Sequence, residues 1–146
     1  MKSLVYRLGC LLLVGALGGV VDAAAQPPAA AGDLAITVTY KGKGEVNAGH
    51  ELTVFLFGTP TINSESEPIG MQTLEKNGGV LRFQGLPETV YIAAVYDEKG
   101  DYDQQGPPLT GTPVAIHADT AGTSIGVKTG RDAKVAITFD DTRRMP

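Results

Sequence analysis

The sequence predicts an all-β protein, an antiparallel β-sandwich of seven to eight strands behind an N-terminal signal peptide. Three observations lead there. Apolar residues alternate with a period of two after residue 33, and no segment there keeps a helical period for three turns. Turn residues recur at short intervals, which suits short strands joined by hairpins rather than by crossover helices. The chain has 146 residues, with 19 Gly and 9 Pro, which is room for one domain with one core.

The first segment reads as an address. Lys2 and Arg7 precede the apolar run Leu8 to Val21, and Ala23, Ala24 and Ala25 follow, the layout of a secretory leader. The run is interrupted by Gly15, Gly18 and Gly19 and is too short to span a hydrocarbon core of about 30 Å. Residues 1–25 are therefore expected to be cleaved, after Ala25 or, as the alternative, after Ala23, leaving no integral membrane anchor, with 26–32 as a flexible tether, 33–142 as the sandwich and 143–146 as a tail. Cys10 follows Gly9 but precedes the apolar region, the reverse of a lipoprotein signal. Cleavage removes this single cysteine, so the exported domain must rest on its core without disulfides. It also leaves 10 basic and 15 acidic residues. Such a surface is wrong for nucleic acid, whose binding needs clustered Lys and Arg.

Each strand has its own pattern. Leu34, Ile36, Val38 and Tyr40 share one face of an extended segment, with Asp33, Ala35, Thr37 and Thr39 on the other. Leu52 to Phe57 is apolar on both faces, which predicts a central strand. Val80 to Gln84 turns Leu81 and Phe83 inward. Thr89 to Tyr96 is the longest β-branched and aromatic run, and Val135, Ile137 and Phe139 make the last strand. Weaker signals lie at Ile69 to Leu74, Val114 to His117 and Ser124 to Lys128. Turns are marked by Gly42-Lys43-Gly44, Gly58-Thr59-Pro60, Asn77-Gly78-Gly79, Gly85-Leu86-Pro87, Lys99-Gly100-Asp101 and Thr129-Gly130-Arg131-Asp132. The long irregular stretch Asp97 to Thr112 contains Gly106-Pro107-Pro108, which cannot continue a ladder. Such a loop on a sandwich is where function is first sought.

The run Phe83-Gln84-Gly85-Leu86-Pro87-Glu88-Thr89-Val90-Tyr91, leading into the strand through Tyr96, resembles the F-x-G-L-P-x-G-x-Y segment of carboxypeptidase regulatory-like, transthyretin (prealbumin)-like sandwich domains of small secreted bacterial proteins. Thr89 stands where that pattern prefers Gly. The resemblance implies a prealbumin-like or Ig-like sandwich over roughly Leu34 to Phe139, and fold alone does not give function. A transthyretin-like enzyme of the same superfamily uses paired histidines, an arginine and a C-terminal Tyr-Arg-Gly-Ser. This chain ends Thr142-Arg143-Arg144-Met145-Pro146, and His50 and His117 stand in other contexts, so that activity is not carried over.

Candidate chemistry concentrates in one loop. Asp97, Asp101 and Asp103, with Glu98 between and Gly100 allowing a bend, supply the hard oxygens that Ca²⁺ takes, although Lys99 fills a ligand position and Pro108 stands where an EF-type loop has Glu. The alternative is a solvated acidic turn. Tyr102 and Gln105 are the loop groups suited to contact a partner protein or a glycan. A nucleophile with its base is not legible: with the leader gone there is no Cys, and His50 and His117 read as polar residues at sheet rims. Asp140 and Asp141 read as a solvated strand end beside Arg143 and Arg144, the start of a frayed tail.

These observations describe an exported, periplasmic or secreted, non-enzymatic binding or envelope-interaction module with a protein partner and no cofactor beyond the candidate Ca²⁺. The alternative is a small secreted hydrolase or carbohydrate-active protein, which requires a pocket of convergent polar groups.

Overall fold

In a computed structural model the chain is described over residues 32–146. The leader and nearly all of the tether lie outside the described residues; Gly32, the tether's last residue, already pairs with Leu86 as the start of the first strand.

Among the described residues eight strands follow in chain order: β1 (Gly32–Tyr40), β2 (Leu52–Phe57), β3 (Gly70–Leu74), β4 (Val80–Leu86), β5 (Thr89–Tyr96), β6 (Val114–Ile116), β7 (Val127–Lys128) and β8 (Lys134–Phe139). They form two sheets, one in the order β4-β1-β8 and one in the order β3-β2-β5-β6, with β7 pairing the first residues of β5. The chain is a β-sandwich. The three weaker sequence signals became β3, β6 and β7. For β6 and β7 the weakness has a cause: between them the chain makes an excursion bridged at Ala118 and Ser124, so no long alternating run exists there.

One pairing departs from an antiparallel sandwich. β8 runs parallel to β1, in register from Ala35↔Lys134 to Tyr40↔Phe139. A tight turn cannot join parallel neighbours, but here residues 41–133 separate the two strands, and β8 enters from the end where β1 begins.

The alternation decides the layers. Leu34, Ile36, Val38 and Tyr40 of β1 are buried against Leu52, Val54 and Leu56 of β2, Val90, Ile92, Ala94 and Tyr96 of β5, and Leu81 and Phe83 of β4. Each such Leu, Ile, Val or Phe side chain contributes about 1.5–3 kcal/mol by leaving water. β2 sits between β3 and β5, as its two apolar faces required. Phe55 and Phe57 point away from the main core into a second cluster with Ala93 and Val95, onto which Ile62, Tyr91, Tyr102 and Ile116 pack. The loops 58–68 and 97–113 therefore lie over the outside of this sheet, and Ile69 and Met71 remain exposed beside them.

Candidate binding end of the sandwich

Both sheets end together on an aromatic plug. Tyr40 closes β1, Tyr96 closes β5 and Phe139 closes β8; the Tyr40 ring stacks on Tyr96 at 4.1 Å and tilts against Phe139 at 5.2 Å. Such contacts stabilise beyond their area, and they put two phenol groups where the connecting loops meet. The Tyr40 hydroxyl donates to Asp141, whose second oxygen accepts the backbone N–H of Lys43 at 2.9 Å. The Tyr96 hydroxyl donates to the Glu45 carbonyl at 3.2 Å. Burial, then the bond to Asp141, pushes the Tyr40 phenol far above its ordinary range, and the same hydroxyl, with the Lys43 N–H, holds the Asp141 carboxyl below the usual carboxylate range.

The loop between β5 and β6 is built from this plug outwards. Asp97 begins it, with its N–H donating to the Glu51 carbonyl at 2.9 Å and its carbonyl accepting from His50 Nδ1 at 3.2 Å. The carbonyl can only accept, so Nδ1 carries the proton. The Asp97 carboxylate folds back over the loop, Oδ1 accepting from the N–H groups of Gly100 at 2.8 Å and Asp101 at 3.3 Å, and Oδ2 from Tyr102 at 3.1 Å. This is the local side-chain to backbone bonding that Asp brings to turns. Gly100 is required on two counts: its φ is +68°, and a Cβ there would strike the Gly49 carbonyl.

Tyr102 anchors the middle of the loop. Its ring meets the edge of Phe55 at 6.3 Å, and its hydroxyl donates to the Gly106 carbonyl at 2.6 Å. Burial, with Asp103 beside it, raises its phenol above the ordinary value. Gln104 adopts a left-handed φ of 61° and donates to Glu51 at 3.3 Å. Gln105, Gly106 and Pro107 then stand exposed, and Leu109 is 48% exposed.

The far shoulder of the loop is held by the C-terminal segment. Val114 N–H donates to the Arg143 carbonyl at 3.0 Å, Met145 N–H to Thr112 at 2.9 Å and Gly111 N–H to Met145 at 2.9 Å. Arg144 grips Glu98 with its two terminal guanidinium nitrogens, Nη1 at 2.7 Å and Nη2 at 3.4 Å, and Nη1 also donates to the Gly111 carbonyl at 2.7 Å. That bond holds the Glu98 carboxyl below its usual range. The expected frayed tail is thus corrected: Arg143 to Met145 continues the sheet edge, because the backbone groups of Gly111 and Thr112 need partners and the last residues supply them. Asp140 is a turn cap, accepting from both the N–H and the hydroxyl of Thr142.

The residues singled out in the sequence meet different fates. Asp97 turns inward onto the loop's own amides, while Asp103 accepts the Gln105 N–H at 3.1 Å. Asp97, Asp101 and Asp103 are not brought together as a ligand set: among the described residues no three His, Cys, Asp or Glu side chains are grouped to hold a metal ion. Tyr102 is half-buried, and Gln105 is at the exposed tip. His50 lies at the sheet rim, and His117 follows β6 with its N–H on the Ile92 carbonyl at 2.9 Å. Sequence reasoning missed the Glu98–Arg144 pair, which lies 46 residues apart with no local signal. It also missed the outer cluster, although the apolar second face of Leu52 to Phe57 announced it. A shallow crevice of about 280 Å³ lies between the edges of β6 and β8, lined by Val114, Ile116, Phe139, Asp140, Thr142 and Arg143.

The fold and this end define a β-sandwich domain with one elaborated loop. No family model matches the chain, and no curated protein does. Among solved structures, it is similar to two of a pilus-presented adhesin, Cpa, one of them a cysteine-to-alanine mutant, each at 18% identity. The matches cover 75% and 74% of this chain, with TM-scores of 0.28 and 0.27. The chain spans about a quarter of the length of those structures, 26% in each case. Among the described residues no helix is long and apolar enough to cross a membrane.

Proposed function

We propose that this protein is an exported, non-enzymatic binding module of the cell envelope or extracellular space, and that it engages a protein partner through the tip of the Asp97–Thr112 loop. The observation that carries this reading is that the loop is anchored at both shoulders and in its middle while its tip is left to solvent with Leu109 uncovered. A tip already fixed in shape loses little conformational entropy on binding, which is what a recognition loop needs. On this reading Tyr102 positions the tip, and Gln105 and Leu109 meet the partner. The Lys2-to-Ala25 leader supports export. In the crevice between β6 and β8, Asp140 is engaged by Thr142, which is turn chemistry rather than an acid-base pair, so the hydrolase reading gains no support from it.

The test is photo-crosslinking with residues 26–146 carrying the crosslinker at position 109 or, as control, at position 84 on the opposite sheet. A discrete adduct from position 109 in envelope extracts, competed by unlabelled protein but not by the Leu109→Asp variant, supports the reading. The same adduct pattern from position 84, or none from 109, contradicts it.

A further inference from the structure

We propose that Asn77 is a conformationally gated deamidation site, at which loss of the side-chain amide unlatches the β3–β4 turn from the end of β1. Asn77 is followed by Gly78, so no side chain hinders approach of the Gly78 nitrogen to the Asn77 side-chain carbonyl carbon. The reaction is balanced by water alone. The Gly78 nitrogen gives its proton to a solvent base and bonds to Cγ of Asn77; the Cγ–Nδ2 bond breaks and ammonia leaves, closing a cyclic imide. Water then opens the imide at either carbonyl, giving aspartate or isoaspartate, with nothing oxidised or reduced.

The fold holds both reacting groups apart from this path. Oδ1 of Asn77 accepts the Tyr40 N–H at 2.8 Å, and Nδ2 donates to the Tyr40 carbonyl at 2.7 Å. The Gly78 nitrogen, the attacking atom, donates to the Val38 carbonyl at 2.9 Å with φ at +74°. Val38 N–H in turn donates to the Gly79 carbonyl at 3.2 Å. Ring closure requires the amide to rotate and the Gly78 N–H to be released, so it requires the turn to lift from β1. Glu75 to Gly78 are exposed, so water and base reach the turn once it opens. The rate is then governed by a local opening rather than by global unfolding.

The product cannot rebuild the latch. A carboxylate oxygen replaces the Nδ2 donor and faces the Tyr40 carbonyl, acceptor against acceptor, and the isoaspartate form also adds a backbone carbon to the turn. Tyr40 is the residue whose hydroxyl holds Asp141 and whose ring stacks on Tyr96, so the lesion reaches the loop-bearing end. That last link rests on the proposed function; the chemistry at Asn77 does not.

The test follows isoaspartate and aspartate formation by peptide mapping in the folded and urea-unfolded protein at mildly alkaline pH, with Asn47 and Asn63 as internal comparators. In urea, Asn77 converts faster than either comparator, and in the folded protein it converts at least about tenfold more slowly than in urea. A Val38→Ala variant, which loosens β1 beneath the turn, speeds the folded-state conversion. The Asn77→Asp protein melts below wild type. Equal folded and unfolded rates would overturn the gating, a comparator outrunning Asn77 in urea would overturn the site, and an Asn77→Asp melt identical to wild type would overturn the latch.

Discussion

The side-chain amide of Asn77 occupies the place of a neighbouring strand for Tyr40, receiving its N–H and donating to its carbonyl across 37 residues of sequence. Tyr40 is buried, so without Asn77 its peptide groups lose partners at the point where the aromatic plug begins. Asn77→Ala is expected to lower stability by about 1–3 kcal/mol, the cost of leaving such groups unpaired, read as an unchanged denaturant slope and a lower midpoint in urea.

Asp97 serves the loop by its carboxylate, accepting three backbone N–H groups. Asp97→Ala should destabilise the domain by about 1–2 kcal/mol and make the stretch from Gly100 to Thr110 a protease-sensitive site. The loss should be the same in EGTA and in excess Ca²⁺, whereas Ca²⁺ at about 100 times a dissociation constant would add about 2.7 kcal/mol to a protein with a loop metal site. Thermal melts of wild type and variant in both buffers decide this.

The two bonds of Tyr102 can be separated. Tyr102→Phe removes the hydroxyl bond to Gly106 and keeps the ring on Phe55, at about 0.5–1.5 kcal/mol. Tyr102→Ala also uncovers Phe55 and should cost about 2–4 kcal/mol. Urea titrations of the two variants test the order, and equal losses would mean that the ring contact contributes nothing.

Acid should weaken the loop-bearing end first. Asp141 and Glu98 have carboxyls held below their ordinary range, by the Tyr40 hydroxyl and by Arg144. A depressed folded-state value means stability that is fully present above the unfolded value, near pH 4, and is lost as pH falls below it through the folded value. Tyr40 behaves oppositely: its raised value gives stability that is full below about pH 10 and is lost above it. The Glu98–Arg144 pair is solvated, so its share is small, and Arg144→Ala should act on the last residues rather than on the whole fold. The protection of the Gly111 and Val114 amides, taken against their intrinsic exchange rates at each pH, reads both effects, falling below about pH 4 in wild type and being lower at every pH in Arg144→Ala.

Much of the fold was legible because strand alternation is a local property. The spacing of Leu34, Ile36, Val38 and Tyr40 alone assigned a buried face to β1, and the doubly apolar Leu52 to Phe57 placed β2 inside a sheet. The parallel partnership of β1 with β8 was not legible, since no turn sequence joins them and register over so long a separation leaves no local trace. The same limit hid the Arg144 grip on Glu98, so the tail read as frayed. In the loop, the residue types were visible but their directions were not: Asp97 could as well have faced outward, and only the packing of Tyr102 on Phe55 fixes which way the segment lies.

Hydrogen exchange across residues 97–112 tests the central claim most directly, that this loop is held in one conformation and presents Leu109. The account predicts slowed exchange at Gly100, Tyr102 and Gly111, whose N–H groups are bonded to Asp97 and Met145, against fast exchange at Gly106 and Leu109, with Tyr102→Ala removing the protection at Gly100. Exchange at intrinsic rates throughout 97–112 in the wild type would contradict it.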